Sequence, residues 1–205
     1  MRRWLTLNKD FLTLTFTRLQ ISLVVVTAIQ LPVVWTIASF FFPGYNGIAQ
    51  SLSELAADDS PVRWIIRSSL IVQAILMISL AHFSMRLAPV GKLFLALAGG
   101  FLIMTALVPS PSQTIYSPAH RVLSFLAFAL SCLWPLFASN KNSEGLISRQ
   151  NGAKITLFFL LLTIVSWIVW GFASQTYFGL LQRLNILLQS LLLAWVLARS
   201  FKTNS

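Results

Sequence analysis

Residues 20–42 read QISLVVVTAIQLPVVWTIASFFF, and no charged side chain interrupts them. At 1.5 Å per residue, a helix of this length crosses the roughly 30 Å of hydrocarbon in a bilayer. Working outward along the chain, comparable apolar runs recur at about 64–83, 92–108, 119–138, 155–173 and 178–198, the third needing its flanks to span. Composition agrees: 57% of the residues are hydrophobic and 10% charged, with a mean hydropathy of +0.78, whereas soluble domains carry about 25% charged residues. A soluble enzyme with one anchor is excluded. The runs are continuous rather than alternating, which argues against a β-barrel. The expectation is an all-α, six-transmembrane-helix bundle forming one domain over 1–205.

The formal net charge is +10, but the basic residues are scattered between apolar runs, so nucleic acid is not an expected partner. One cysteine, Cys132, excludes an intrachain disulfide and a thiolate-cluster metal site. No small-residue cleavage site follows the first run, which reads as an uncleaved helix. Orientation follows from the lysines and arginines. Arg2, Arg3, Lys9, Arg18, Arg86, Lys92, Lys141, Arg149, Lys154, Arg199 and Lys202 fall on one side; Arg63, Arg67, Arg121 and Arg183 fall on the other. Eleven against four places both termini in the cytoplasm.

The outward side then holds the unusual chemistry. Glu54, Asp58 and Asp59 lie in the first outer loop, and His120 opens the fourth span. Each outer arginine lies near the start of span two, four or six, where helix dipoles present their positive ends. That placement is unfavourable unless something negative intervenes: the loop carboxylates, or an external anion such as a lipid phosphate. Asp59 and Arg63 are spaced to staple the loop onto span two. Arg67, one turn inside the apolar run, needs a partner or a ligand. Within the loop, Pro43-Gly44-Tyr45-Asn46-Gly47 is a turn cluster and Ser51-Leu52-Ser53-Glu54 a capping box. Ile48, Leu52 and Leu55 suggest a short amphipathic helix lying on the membrane. Asp58-Asp59-Ser60-Pro61 closes it and is positioned to cap span two.

Polar residues also descend into the bundle. His120, Ser124, Ala127 and Ser131 share one face of span four; Gln182, Asn185 and Gln189 share one face of span six. Gln30 and Gln73 lie at membrane depth, and Pro32 frees the carbonyl of Ala28. Such residues are ordinary glue between membrane helices; the sharper alternative is a cavity opening outward beneath His120 and Arg67. No metal is expected, since His82 and His120 sit at opposite ends of their spans and the carboxylates match no zinc spacing. No cofactor motif is present. A serine nucleophile with His120 as base and Asp58 or Asp59 as orienter is conceivable, with Ser51, Ser53, Ser60 and Ser117 all candidates.

Gly44-Tyr45-Asn46, followed by Ser51-Leu52-Ser53-Glu54-Leu55-Ala56-Ala57 and Trp64, resembles the first-loop signature of a bacterial and archaeal family, domain of unknown function 998 (DUF 998). The segment from Pro109 to Ser117 leading into His120, with Phe125 and Phe128 beyond, resembles that family's second signature. Members often carry an acidic residue shortly before the histidine, where this chain has Ser110, Ser112 and Thr114. The resemblance implies six helices and no particular activity. The leading expectation is a multi-pass inner (cytoplasmic) membrane protein binding an anionic lipid or lipid-linked headgroup. Arg67, His120, Arg121, Arg63, Asn185 and Gln189 would be its ligand-binding residues, and membrane lipids its partners. The alternatives are a lipid hydrolase or transferase using His120 with Glu54, Asp58 and Asp59, a small transporter, or a structural subunit.

Overall fold

A computed structural model describes residues 2–84, 86–115, 117–139, 147–172 and 176–201, without the side chains of 2–17 and 170–172. Lys141 and Lys202, counted above for orientation, lie outside the described residues. The chain is helical: α1 (Arg2–Phe40), α2 (Leu52–Leu55), α3 (Arg63–Phe83), α4 (Pro89–Leu107), α5 (Pro118–Leu133, continued by a 3-10 turn Trp134–Phe137), α6 (Arg149–Phe172) and α7 (Phe178–Phe201). Six of these are long and apolar enough to cross a membrane, which makes the chain a multi-pass membrane protein. Their bounds match the sequence expectation to within a few residues, the fifth beginning earlier, at Arg149. Proline stands in the first turn of α4 and α5, where the missing N–H costs nothing.

The long helices close a ring in chain order, α1–α3–α4–α5–α6–α7, with α7 returning against α1. The α3–α4 contact is the most extensive and the α5–α6 seam the thinnest. Two apolar clusters stack along the bundle. One joins Leu31, Trp35, Leu55, Ile66 and Leu70 at the end bearing the first loop; the other joins Met77, Leu95, Trp134 and Val196 at the opposite end. On α1 the inward Leu31, Trp35 and Ala38 are buried, while Ile29, Val33 and Ile37 are about half exposed. An apolar stripe turned outward on every span is unstable in water and neutral in lipid.

Most polar side chains within the spans bond to their own helix or to each other, with the Ser124 and Thr156 hydroxyls as exceptions among the described residues. Thr27, Thr36, Ser39, Thr105 and Ser166 donate to the carbonyl four residues back, at 2.7–2.8 Å. Gln30 of α1 donates to Gln73 of α3 at 2.9 Å and accepts from Ser69 at 2.9 Å. These residues are helix-to-helix glue, as their type suggested.

Gly99 and Gly100 separate packing from exposure on α4. A β-carbon on Gly99 would lie 2.9 Å from the Ala74 carbonyl oxygen and 2.8 Å from Ile78 Cγ1, whereas one on Gly100 meets nothing within 4 Å. Gly99→Ala should therefore destabilise the fold by about 1–3 kcal/mol through forced separation of α3 and α4. Gly100→Ala should be neutral or stabilising by up to about 1 kcal/mol. Thermal unfolding in mild detergent distinguishes these adjacent substitutions.

Candidate functional site

The first loop does not lie over the membrane. It folds inward as a plug. Gly44 begins it at a φ of 81°, a left-handed conformation natural to glycine. Asn46 turns the next residues by accepting from the Ile48 N–H at 3.0 Å. The expected capping box then forms: Ser51 accepts from the Glu54 N–H at 3.2 Å, and Glu54 from the Ser51 N–H at 3.1 Å. The helix it starts is a single turn, α2, with Leu52 and Leu55 buried against α1, α3 and α7. Burial of Ser51, Ala56 and Ala57 as well corrects the expectation that this segment lies on the membrane surface. Its apolar side chains have a protein partner closer than lipid.

Two arginines hold the plug. Arg183 of α7 is 9% exposed and donates through Nη1 to the carbonyls of Gly47, Gln50 (2.9 Å) and Gly179 (3.0 Å), and through Nη2 to the Tyr45 hydroxyl. The Tyr45 hydroxyl in turn reaches the Gln50 and Ser51 carbonyls at 3.0 and 2.8 Å. Gly179 permits this approach, since a β-carbon there would strike the Gln50 and Gly47 carbonyls. The N–H groups of Gly179 and Leu180 donate to Ala49 and Ile48 at 3.3 and 2.9 Å. Loop carbonyls thus supply the negative charge that a guanidinium beside an α-helix N-terminus requires.

Arg67 of α3, 7% exposed, donates through Nε to the Ala56 carbonyl at 2.8 Å and pairs through Nη2 with Asp58 at 2.7 Å. The ion pair therefore joins Arg67 to Asp58, not Arg63 to Asp59. Arg63 instead donates to the Ser60 carbonyl at 3.2 Å, and Asp59 accepts from the Gln113 N–H at 3.3 Å. Neither aspartate caps α3; Ser60 Oγ accepts from the Val62 N–H at 3.3 Å.

The plug sets Ser53 against His120. Ser117 caps α5 by accepting from the His120 N–H at 3.4 Å, which places His120, 3% exposed, in the first turn. Its Nδ1 lies 2.8 Å from the Val108 carbonyl oxygen at the end of α4, and its Nε2 lies 3.1 Å from Ser53 Oγ. A carbonyl only accepts, so Nδ1 carries the proton in neutral imidazole, and Nε2 is left to accept from the Ser53 hydroxyl. The other candidate serines have different tasks: Ser51 in the capping box, Ser60 beneath Val62, Ser117 as the α5 cap.

Two adjoining cavities meet at this pair. The larger, about 650 Å³, runs between α5, α6 and α7; the smaller, about 80 Å³, lies on the inner side of α5. Ser53, His120, Ser124 and Gln182 line both. Ser124 Oγ is buried without a hydrogen-bond partner among the described residues. The α5 stripe of His120, Ser124, Ala127 and Ser131 does line a cavity, and Gln189 reaches it from α7. Arg121 and Asn185 line the larger space. Asn185 donates to Thr163 Oγ1 and accepts from Gln189, both at 2.8 Å, closing a polar cluster beside Cys132. Phe125, Ile164, Trp167 and Ile168 line the larger cavity while remaining 49–58% exposed on the bundle flank. It therefore opens on the flank of the bundle.

Of the residues singled out in the sequence, His120, Arg121, Asn185 and Gln189 meet at the cavities. Arg67 and Arg63 do not line them, nor do Glu54, Asp58 and Asp59. Sequence reasoning left Ser53 as one of four candidate serines and missed the clamp role of Tyr45. Only the turn cluster around Tyr45 hinted at the latter. Among the described residues, no three histidine, cysteine or acidic side chains converge as metal ligands.

Two outcomes follow from the arginine clamps. Burial pushes the Tyr45 phenol from its ordinary 10.0 up to about 12, against the opposing charge of Arg183. The neutral phenol therefore stabilises the loop below pH 10, and that contribution is lost as pH rises through about 12. Near-ultraviolet titration of wild type against Tyr45→Phe should show the late phenolate step missing from the variant. Arg67→Ala removes a charged pair and leaves the Ala56 carbonyl unpaired, a cost of about 1–3 kcal/mol. Amide exchange of 52–60 should accelerate about tenfold or more.

The family model described as "Protein of unknown function (DUF998)" matches residues 25–199, which take in the middle four spans, most of the first and last, and both cavities. No curated protein and no solved structure shows a significant match to the chain. The chain, itself a multi-pass membrane protein, is a member of the DUF998 family.

Proposed function

We propose that the protein binds an anionic membrane lipid in the cavity between α5, α6 and α7. The acyl chain enters through the α5–α6 seam, and the headgroup lodges beside Arg121, His120 and Ser53. The observation that carries this reading is the combination of an apolar cavity of about 650 Å³ opening to the lipid side with polar groups at one end. Its size suits part of a lipid molecule, and its exposed wall of Phe125, Ile164 and Trp167 requires no aqueous entry route.

The loop-bearing end faces away from the cytoplasm by the positive-inside count, in a bacterial inner membrane. The site then takes its lipid from the outer leaflet. Arg121 supplies the positive charge on the cavity wall. Arg67 acts in this reading by holding the plug, since its guanidinium is engaged by Ala56 and Asp58. Asn185 and Gln189 act below the headgroup, within the polar cluster. Transport is a weaker reading, because the polar residues gather toward one end and Met77, Leu95, Trp134 and Val196 pack the other.

Filling the cavity tests the proposal. Ala129 lines it, and Ala129→Trp should expel the lipid. Overpacking by about 1–3 kcal/mol lowers retention up to roughly a hundredfold. Lipid bound to protein purified in mild detergent is measured by native mass spectrometry, with Arg67→Ala expected to keep it. Equal retention by Ala129→Trp and wild type would sink the idea.

A further inference from the structure

We propose that Ser53 and His120 form a catalytic dyad for acyl transfer from an ester-linked membrane lipid. The inference rests on the lipid site just described and assigns chemistry to its polar end.

Geometry selects the pair. His120 Nε2 is 3.1 Å from Ser53 Oγ, and the Val108 carbonyl at 2.8 Å holds Nδ1 protonated and the ring fixed. This is the relation between nucleophile, base and orienting acceptor in serine acyl transfer, with a backbone carbonyl in place of a carboxylate. The nearby acids have other partners: Asp58 is bound to Arg67, and Glu54 to the Ser51 cap. The dyad lies where both cavities meet, so an ester at the head of an acyl chain in the larger one reaches Ser53 directly.

A donor for the ester carbonyl is in place. The Gln182 side-chain oxygen accepts from the Leu52 N–H at 2.8 Å, and an N–H donor determines which end of that amide faces it. The amide nitrogen of Gln182 is therefore the end left for a ligand. It has no partner among the described residues and belongs to a side chain lining both cavities. Hydrogen bonds aimed at a developing oxyanion are a main source of rate in such reactions.

The steps balance without a redox partner. Ser53 Oγ attacks the lipid ester carbonyl as its proton passes to His120 Nε2. The tetrahedral adduct collapses, the C–O bond to the glycerol breaks, and the leaving alkoxide takes that proton. This leaves acylated Ser53 and a lyso-lipid alcohol. Water or an acceptor hydroxyl then attacks the acyl-serine, His120 again relaying the proton, and releases a fatty acid or a new ester with Ser53 restored. A purely structural Ser53–His120 hydrogen bond would pin the plug and leave the hydroxyl unreactive.

The experiment is active-site labelling of the full chain in detergent with a long-chain alkyl fluorophosphonate, read by intact mass and peptide mapping. The expected result is one adduct, on Ser53, absent from Ser53→Ala. In His120→Asn, which keeps a donor for Val108 but has no Nε2, labelling should slow about 10²-fold or more. Should His120→Asn not fold, Gln182→Leu supplies the second variant, with labelling slowed by at least tenfold. Wild type that retains lipid yet labels no faster than Ser53→Ala overturns the dyad and leaves the lipid site standing. Labelling of Ser53 at equal rates in wild type and His120→Asn overturns it too. Labelling of Ser53 that depends on His120, in protein that carries no lipid, upholds the dyad and overturns the lipid reading.

Discussion

Two buried guanidiniums determine what the mouth of this bundle looks like. Arg183 and Arg67 stand near the starts of α7 and α3, where helix dipoles oppose a positive charge and lipid offers no compensation. Both are compensated by the same segment. The first loop bends its carbonyls onto Arg183 and its Asp58 carboxylate onto Arg67. An arginine suits this task because its planar fork serves several carbonyls at once, which a lysine ammonium does with less directionality. Loop carbonyls share with the Asp58 carboxylate the task of compensating these two buried charges.

The rest of the site follows from that arrangement. Once the loop is drawn inward, its capping box can start one turn of helix only where Leu52 and Leu55 find the apolar faces of α1, α3 and α7. That turn carries Ser53 to His120. His120 is itself fixed from the other side, by the end of α4 and by the Ser117 cap. The first loop and the end of α4 thus converge on one imidazole that the cap of its own helix holds in place. The ring of helices is tight at α3–α4, where Gly99 admits Ala74, and thin at α5–α6, where the cavity opens. A stable half and an accessible half coexist in one small bundle.

Much of this was legible in the residues. The spans followed from uninterrupted apolar runs, the capping box from Ser51 and Glu54, and the cavity-lining stripe of α5 from the spacing of His120, Ser124, Ala127 and Ser131. Gln30 and Gln73 bond to each other as glue does, and Gln73 also lines the smaller cavity, so both readings of it hold. The arginines read less well: spacing suggested Asp59 with Arg63, whereas Asp58 pairs with Arg67, nine residues on. The short-range rule assumed a continuous helix from the aspartates onward, and Pro61 and Val62 break that assumption by turning the chain before α3 begins. The amphipathic turn was also found, but apolar side chains alone do not say whether lipid or protein will cover them.

The sequence by itself determined the number and place of the spans, the local caps and turns, and the gathering of polar residues toward one end. Those properties depend on residues close together in the chain and on the preference of each for water or hydrocarbon. The tertiary structure alone decided which of four serines meets His120, which acid meets which arginine, and where the bundle opens. The first two depend on how deeply the first loop sinks, and the third on the thin contact between α5 and α6. The depth of that loop is set in part by the carbonyls that Arg183 and Arg67 bind, and a carbonyl is a group that every residue possesses.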